Sequence, residues 1–68
     1  MLVRVRVYLT GLGKRPKTLF DEVMTWKNAL EQFLYPEHSE YYEKQLNASG
    51  FVGECIGQNK VVTVRKVM

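Results

Sequence analysis

Residues 2–9 of the chain read LVRVRVYL, and this stretch decides the fold. Apolar and polar side chains alternate along it. One side carries Val3, Val5, Val7 and Leu9, and the other carries Arg4, Arg6 and Tyr8. Successive side chains of a β-strand point to opposite faces of a sheet, so this period of two predicts a strand with one buried face.

A basic loop and a long helix are predicted to follow this strand. Residues 10–17, TGLGKRPK, combine two glycines, a proline and three basic residues, a composition typical of a loop. Thr18 is placed to cap a helix, with Asp21 in the first turn, where the helix dipole favours acids. The helix would continue to Pro36 along an apolar stripe of Leu19, Val23, Trp26, Leu30 and Phe33. An alternative makes residues 18–24 a second strand and caps the helix at Thr25.

The second half of the chain predicts a short helix and a hairpin. Ser39 is placed to cap a helix that ends before Gly50. The runs 51–56 and 60–67 are rich in β-forming residues and are separated by Gly57, Gln58 and Asn59, which predicts a hairpin. The predicted fold is α+β in the order β-α-α-β-β: a three-stranded, mainly antiparallel sheet with one long and one short helix packed on one face, in a single small domain of residues 1–68.

Composition limits what such a chain can be. At 68 residues it supports one thin core, and self-association into a homodimer is one way to reinforce it. Cys55 is the only cysteine and His38 the only histidine, so neither an internal disulfide nor a structural zinc site is expected. The lack of a cysteine framework and of a signal-peptide pattern favours a cytoplasmic location, and the apolar runs fall far short of the roughly 18 residues of a membrane span. We expect no cofactor and no membrane contact.

The net charge of +3 is unevenly distributed along the chain. Residues 1–17 carry +5, residues 18–57 carry −5 and residues 58–68 carry +3. Basic clusters without acids attract polyanions, which favours DNA or RNA as the partner. On the last strand Val62 and Val64 share one face and Thr63 and Arg65 the other, so if both valine faces turn inward, a basic sheet surface of Arg4, Arg6, Tyr8, Thr63 and Arg65 results. The predicted nucleic-acid-binding residues are Arg4, Arg6, Tyr8, Lys14, Arg15, Lys17, Lys60, Arg65 and Lys66. Arginines on a solvated strand also prevent edge aggregation, and this structural explanation stays open.

A protein-binding surface is the alternative function. The middle of the chain combines acids with tyrosines, which give a large contact area at low entropic cost. The residues concerned are Tyr35, Glu37, Glu40, Tyr41 and Tyr42. Adjacent helical residues point about 100° apart, so one of Tyr41 and Tyr42 must face outward. An inhibitor or adaptor of a larger host protein, of the viral or mobile-element accessory type, fits this alternative, as does binding of an acidic protein surface by the basic residues.

The sequence contains no recognisable catalytic constellation. The stretch 11–14 fails the phosphate-loop pattern, because Tyr8 stands where a glycine is required and Arg15 where Ser or Thr is required. His38 follows a helix-ending proline on an expected surface corner, and Cys55 is expected to be a small buried apolar residue. We therefore predict a non-enzymatic binding module.

Overall fold

The computed structural model describes residues 1–11 and 13–67, apart from the side chain of Lys14. Its elements in chain order are β1 (Leu2–Gly11), β2 (Lys14–Thr25), α1 (Trp26–Phe33), a 3₁₀ turn (Pro36–His38), α2 (Ser39–Ser49), β3 (Phe51–Ile56) and β4 (Lys60–Lys66). The strands form a four-stranded antiparallel sheet in the order β2-β1-β4-β3. Both helices pack on the same sheet face.

The predicted three-stranded sheet and long first helix are wrong. Residues 18–24 belong to β2, α1 begins only at Trp26, and the order is β-β-α-α-β-β. The structure has the alternative arrangement, in which the Thr25 hydroxyl accepts a hydrogen bond from the Asn28 amide at 3.3 Å and caps α1. The predicted loop at 10–17 is also mostly strand, since β1 runs to Gly11 and β2 starts at Lys14.

The position of β1 in the sheet explains this correction. β1 pairs with β4 on one side and with β2 on the other. As a strand, residues 14–25 pair with β1 along its whole length and satisfy backbone groups of β1 that a helix over residues 18–35 would leave unpaired; β2 then forms the edge of the sheet. As a consequence Leu19 and Val23, expected on a buried stripe, are 48% and 53% exposed.

The core lies between the helices and the valine face of β1, as the alternation predicts. Its buried residues are Val3, Val5, Val7, Ala29, Leu34, Tyr42, Leu46, Val52, Val62 and Val64. Trp26, Leu30 and Phe33 of the predicted stripe pack against this cluster from α1. The opposite face of the sheet is not covered by either helix.

The predicted second helix and the hairpin are confirmed, but the predicted cap is wrong: Ser39 is the first residue of α2, and His38 holds the N-cap position without a side-chain hydrogen bond. α2 is followed by Gly50, whose φ of 74° is left-handed and whose amide donates to the Leu46 carbonyl at 2.8 Å. A glycine adopts this conformation without the steric cost that a side chain would add. β3 and β4 are joined by a turn over residues 57–59 and pair with Ile56 opposite Lys60.

Candidate functional site

The sheet face away from the helices, called the open face below, consists of rows of side chains that cross the strands. Because the odd-numbered valines of β1 are buried, its even-numbered residues lie on the open face. The register gives one row of Val23, Arg4, Arg65 and Phe51. The next rows are Asp21, Arg6, Thr63 and Gly53, and then Thr18, Tyr8, Val61 and Cys55.

Six of these side chains line one shallow depression of about 540 Å³. They are Arg4, Arg6, Tyr8, Phe51, Thr63 and Arg65. Three are guanidinium groups, two are aromatic rings and one is a hydroxyl. The depression therefore offers charge, stacking area and a hydrogen-bonding group on one surface.

Asp21 is the single acid among the described residues of the open face, and it pairs with two arginines. Its Oδ1 accepts from Arg4 Nε at 2.8 Å and its Oδ2 from Arg4 Nη2 at 2.9 Å. Arg6 Nε lies 3.3 Å from Asp21 Oδ2, within ion-pair distance. The two atoms are not aligned for a hydrogen bond, and this buried nitrogen has no other acceptor in the described part of the chain. Hydrogen bonds from Arg4, and then the charges of Arg4 and Arg6, hold the pKa of Asp21 below its usual value. The same contact raises the pKa of Arg4.

Arg65 has a different environment from the other two arginines. Its guanidinium carbon lies 5.8 Å from the centre of the Phe51 ring, within the range of a cation–π contact. The Phe51 ring lies beside Gly53, where an added Cβ would sit 3.5 Å from Phe51 Cε1. Across residues 1–11 and 13–67 Arg65 has no carboxylate within ion-pair distance. Its charge is the least neutralised on the open face.

The structure brings together only part of the predicted nucleic-acid-binding set. Arg4, Arg6, Tyr8 and Arg65 meet on the open face, as the alternation of β1 and β4 predicts; their role in binding stays a prediction.

The remaining basic residues lie elsewhere. Lys17 and Lys60 are both paired with Leu9, which places them on the helix side of the sheet near the β1–β2 turn. Lys66 is opposite the buried Val3 and also lies on the helix side, at the other end of the strands. Arg15 is exposed on β2 beside the turn. The side chain of Lys14 lies outside the described part of the structure.

Among the charged and aromatic residues of the open face, sequence reasoning missed two, Phe51 and Asp21. Asp21 was assigned to the first turn of a helix, so its position beside Arg6 could not be inferred. Phe51 was recoverable, because a three-residue turn that sets Ile56 opposite Lys60 also sets Phe51 opposite Arg65.

The predicted protein-binding surface is incomplete. Tyr35 and Tyr41 are 38% and 56% exposed, and Glu37 and Glu40 are exposed beside them. Tyr42 is only 1% exposed and belongs to the core, so it is unavailable to a partner. The expectation that one of the two adjacent tyrosines faces outward is confirmed.

The Tyr42 hydroxyl is a buried polar group within the core. Its oxygen meets no hydrogen-bond partner with good geometry among the described residues. The Tyr35 backbone and the Glu54 carboxylate are nevertheless close enough to influence it. Burial, assisted by Glu54, raises the pKa of Tyr42.

Cys55 and His38 lie in different parts of the structure, Cys55 on β3 and His38 in the 3₁₀ turn. Cys55 is exposed on the open face, contrary to the expectation of a buried residue, because its strand position alternates with the buried Val52 and the half-buried Glu54 and Ile56. The His38 ring contacts Tyr35 and Tyr42 edge-on, with centroids 6.1 and 6.3 Å away. No group of three or more His, Cys, Asp or Glu side chains in the described ranges is arranged to hold a metal ion. Within those ranges neither helix has the length and apolar character needed to cross a membrane.

Comparison with protein-family models, curated proteins and solved structures gave no match to this chain. The geometry and the chemistry of the open face are therefore the evidence for a function.

Proposed function

We propose that this chain is a non-enzymatic nucleic-acid-binding module and that the open face is its interface. One observation supports the proposal most: three guanidinium groups and two aromatic rings line a single depression on a sheet face that no helix covers. Guanidinium groups bind phosphates through paired hydrogen bonds, and aromatic side chains stack on bases. The two kinds of group serve the two parts of a nucleotide.

The spacing of the rings favours a single strand over a duplex. Tyr8 and Phe51 lie two strands and four residues apart in the register. With usual strand dimensions this is about 10 Å across the strands and about 13 Å along them, or about 16 Å in total. Bases of a single strand can turn outward and stack on separate rings, whereas bases of a duplex are already stacked and paired. A short segment crossing the face diagonally would meet both rings, pass over Thr63 between them and run beside Arg6 and Arg65.

A titration with a matched pair of variants tests the proposal. Arg65 and Lys66 are neighbours on β4, but Arg65 lies on the open face and Lys66 on the helix side. Arg65→Gln and Lys66→Gln remove the same charge, so a non-specific charge effect would weaken both equally. We expect Arg65→Gln to weaken binding of labelled single-stranded DNA and RNA more than Lys66→Gln does. It should also flatten the dependence of log K on log salt by about 0.7 for the lost phosphate contact.

The measurement is fluorescence anisotropy at several salt concentrations, with circular dichroism to show that each variant is folded. Absence of binding at low salt, or equal losses in the two variants, contradicts the proposal. Binding of a duplex in preference to a single strand contradicts the argument from the ring spacing.

A second candidate function is protein binding through the exposed acids and tyrosines around α2. Its supporting observation is the 56% exposure of Tyr41, a large side chain flanked by the exposed acids Glu40 and Glu43. Such a surface suits binding to a basic region of a larger protein, on which this chain would act as an inhibitor or adaptor. In a pull-down, a protein that binds the wild type and Tyr41→Phe but does not bind Tyr41→Ala would support this second function. If Tyr41→Ala still binds that protein, the surface around Tyr41 is not the binding site.

Self-association is compatible with either function. β2 and β3 are the outer strands of the sheet, and a free strand edge can pair with a second copy. Analytical ultracentrifugation tests this, because a monomer at high protein concentration excludes a stable dimer.

A further inference from the structure

We infer that Asp21 acts as an internal competitor for nucleic-acid phosphate and so determines the affinity and the ligand preference of the open face. This inference rests on the proposed function.

The competition follows from the geometry of the ion pairs. Asp21 accepts two hydrogen bonds from Arg4, at 2.8 and 2.9 Å, and lies 3.3 Å from Arg6 Nε. The guanidinium fork matches carboxylate and phosphate oxygens in the same way. Asp21 therefore occupies donor groups of Arg4 that a phosphate would use and neutralises part of the charge of Arg6. Among the three arginines of the open face, only Arg65 presents its charge without a carboxylate partner in the described residues.

The ion pairs are exposed enough to be exchanged. The side chains of Arg4, Arg6 and Asp21 are 46%, 40% and 31% exposed. Ion pairs in contact with water are weak, because solvent screens them and holding two flexible side chains costs entropy. Asp21 sits beside the depression on β2, so it can leave the arginines without disturbing the residues that line the site.

This arrangement predicts a preference for chains of phosphates over single anions. A phosphate that binds Arg4 must displace the Asp21 carboxylate, so one such contact adds little to the binding free energy. A single-stranded nucleic acid already held by Arg65 and the two rings delivers its next phosphates at high effective concentration. It displaces Asp21 where a free nucleotide does not.

The test compares Asp21→Asn with Glu22→Gln. Both changes replace a carboxylate on β2 by an amide and raise the net charge by one unit, but Glu22 pairs with Val5 on the helix side of the sheet. We expect Asp21→Asn to bind a short single-stranded oligonucleotide several-fold more tightly than the wild type. The slope of log K against log salt should stay close to that of the wild type, because the oligonucleotide displaces Asp21 there too and makes the same phosphate contacts. Glu22→Gln should differ from the wild type by much less, with an unchanged slope.

A mononucleotide gives a second readout: in Asp21→Asn its phosphate can bind Arg4 without displacing a carboxylate, so its affinity should also rise, by no more than that of the oligonucleotide. Asp21→Ser serves as an independent variant, and circular dichroism verifies the fold of each protein. Wild-type binding with unchanged or weaker binding by Asp21→Asn and Asp21→Ser overturns this inference alone. Failure of all these proteins to bind at low salt overturns the proposed function and this inference together.

Discussion

Replacing Tyr42 by phenylalanine removes one buried hydroxyl and leaves the aromatic ring in the core. The side chain is 1% exposed, and its oxygen lacks a well-aligned partner among the described residues. An unpaired buried hydroxyl costs about 1–3 kcal/mol. We therefore expect Tyr42→Phe to raise the free energy of unfolding by about 1 kcal/mol, measured by urea denaturation. For a domain of this size the corresponding rise in Tm is about 4–8 °C.

Alkaline pH provides a second measurement on the same residue. Burial raises the pKa of Tyr42, so the folded state keeps its proton where the unfolded state has lost it. The stability of the wild type should therefore fall as the pH rises above about 10, the ordinary pKa of tyrosine. Tyr42→Phe should show a smaller decline over the same range.

Tyr41→Phe is the matched control, because Tyr41 is 56% exposed on the same helix. Its effect should stay within about 0.5 kcal/mol. A loss of more than about 1 kcal/mol in Tyr42→Phe would refute the reasoning. It would mean that Glu54 or the Tyr35 backbone forms a hydrogen bond with the hydroxyl in solution.

Two further predictions concern the corrected fold and the ion pairs. Leu46→Ala should lower the free energy of unfolding by about 2–5 kcal/mol, because Leu46 is buried, whereas Leu19→Ala should cost less than about 0.5 kcal/mol, because Leu19 lies exposed on an edge strand. Equal decreases in the free energy of unfolding of the two variants would instead support a helix that buries Leu19. The pKa of Asp21 is lowered by Arg4 and Arg6, so the stability that this carboxylate contributes is present above its ordinary pKa of about 3.9 and is lost as the pH falls below it. Acid titration should show a smaller decline for Asp21→Asn than for the wild type, and identical curves would contradict the assignment.

The elements that could be predicted from the sequence carry strong local signals. β1 alternates strictly because one of its faces is buried and the other is not. The hairpin at 51–66 and the helix α2 are delimited by glycines that adopt positive φ, at Gly57 and Gly50. In each case the local pattern and the tertiary structure favour the same conformation.

The sequence predicts residues 18–24 as a strand only in the alternative, because β2 is held by pairing with β1 and not by an apolar pattern of its own. It is an edge strand, exposed on the open face at Val23 and packed against the core only through Phe20 and Met24. Its apolar residues therefore show no alternation, and by coincidence they match helical spacing with those of α1. Thr25 and Asn28 held the local signal for the true start of the helix.

The same error limited the prediction of the candidate site. Alternation on β1 and β4 was enough to place Arg4, Arg6, Tyr8, Thr63 and Arg65 on one face. Because β2 was missing from the predicted sheet, Asp21, which pairs with Arg4 and Arg6, was absent from the predicted surface.

The most direct test of the central claim is to map the interface by NMR. A short single-stranded oligonucleotide would be titrated into the isotopically labelled chain at low salt, with backbone amide shifts followed residue by residue. If the open face is the nucleic-acid interface, the largest shift changes should occur at Arg6, Tyr8, Phe51, Thr63 and Arg65. The changes in α1 and α2 should be small. Shifts confined to the two helices, or no shifts at low salt, would contradict it.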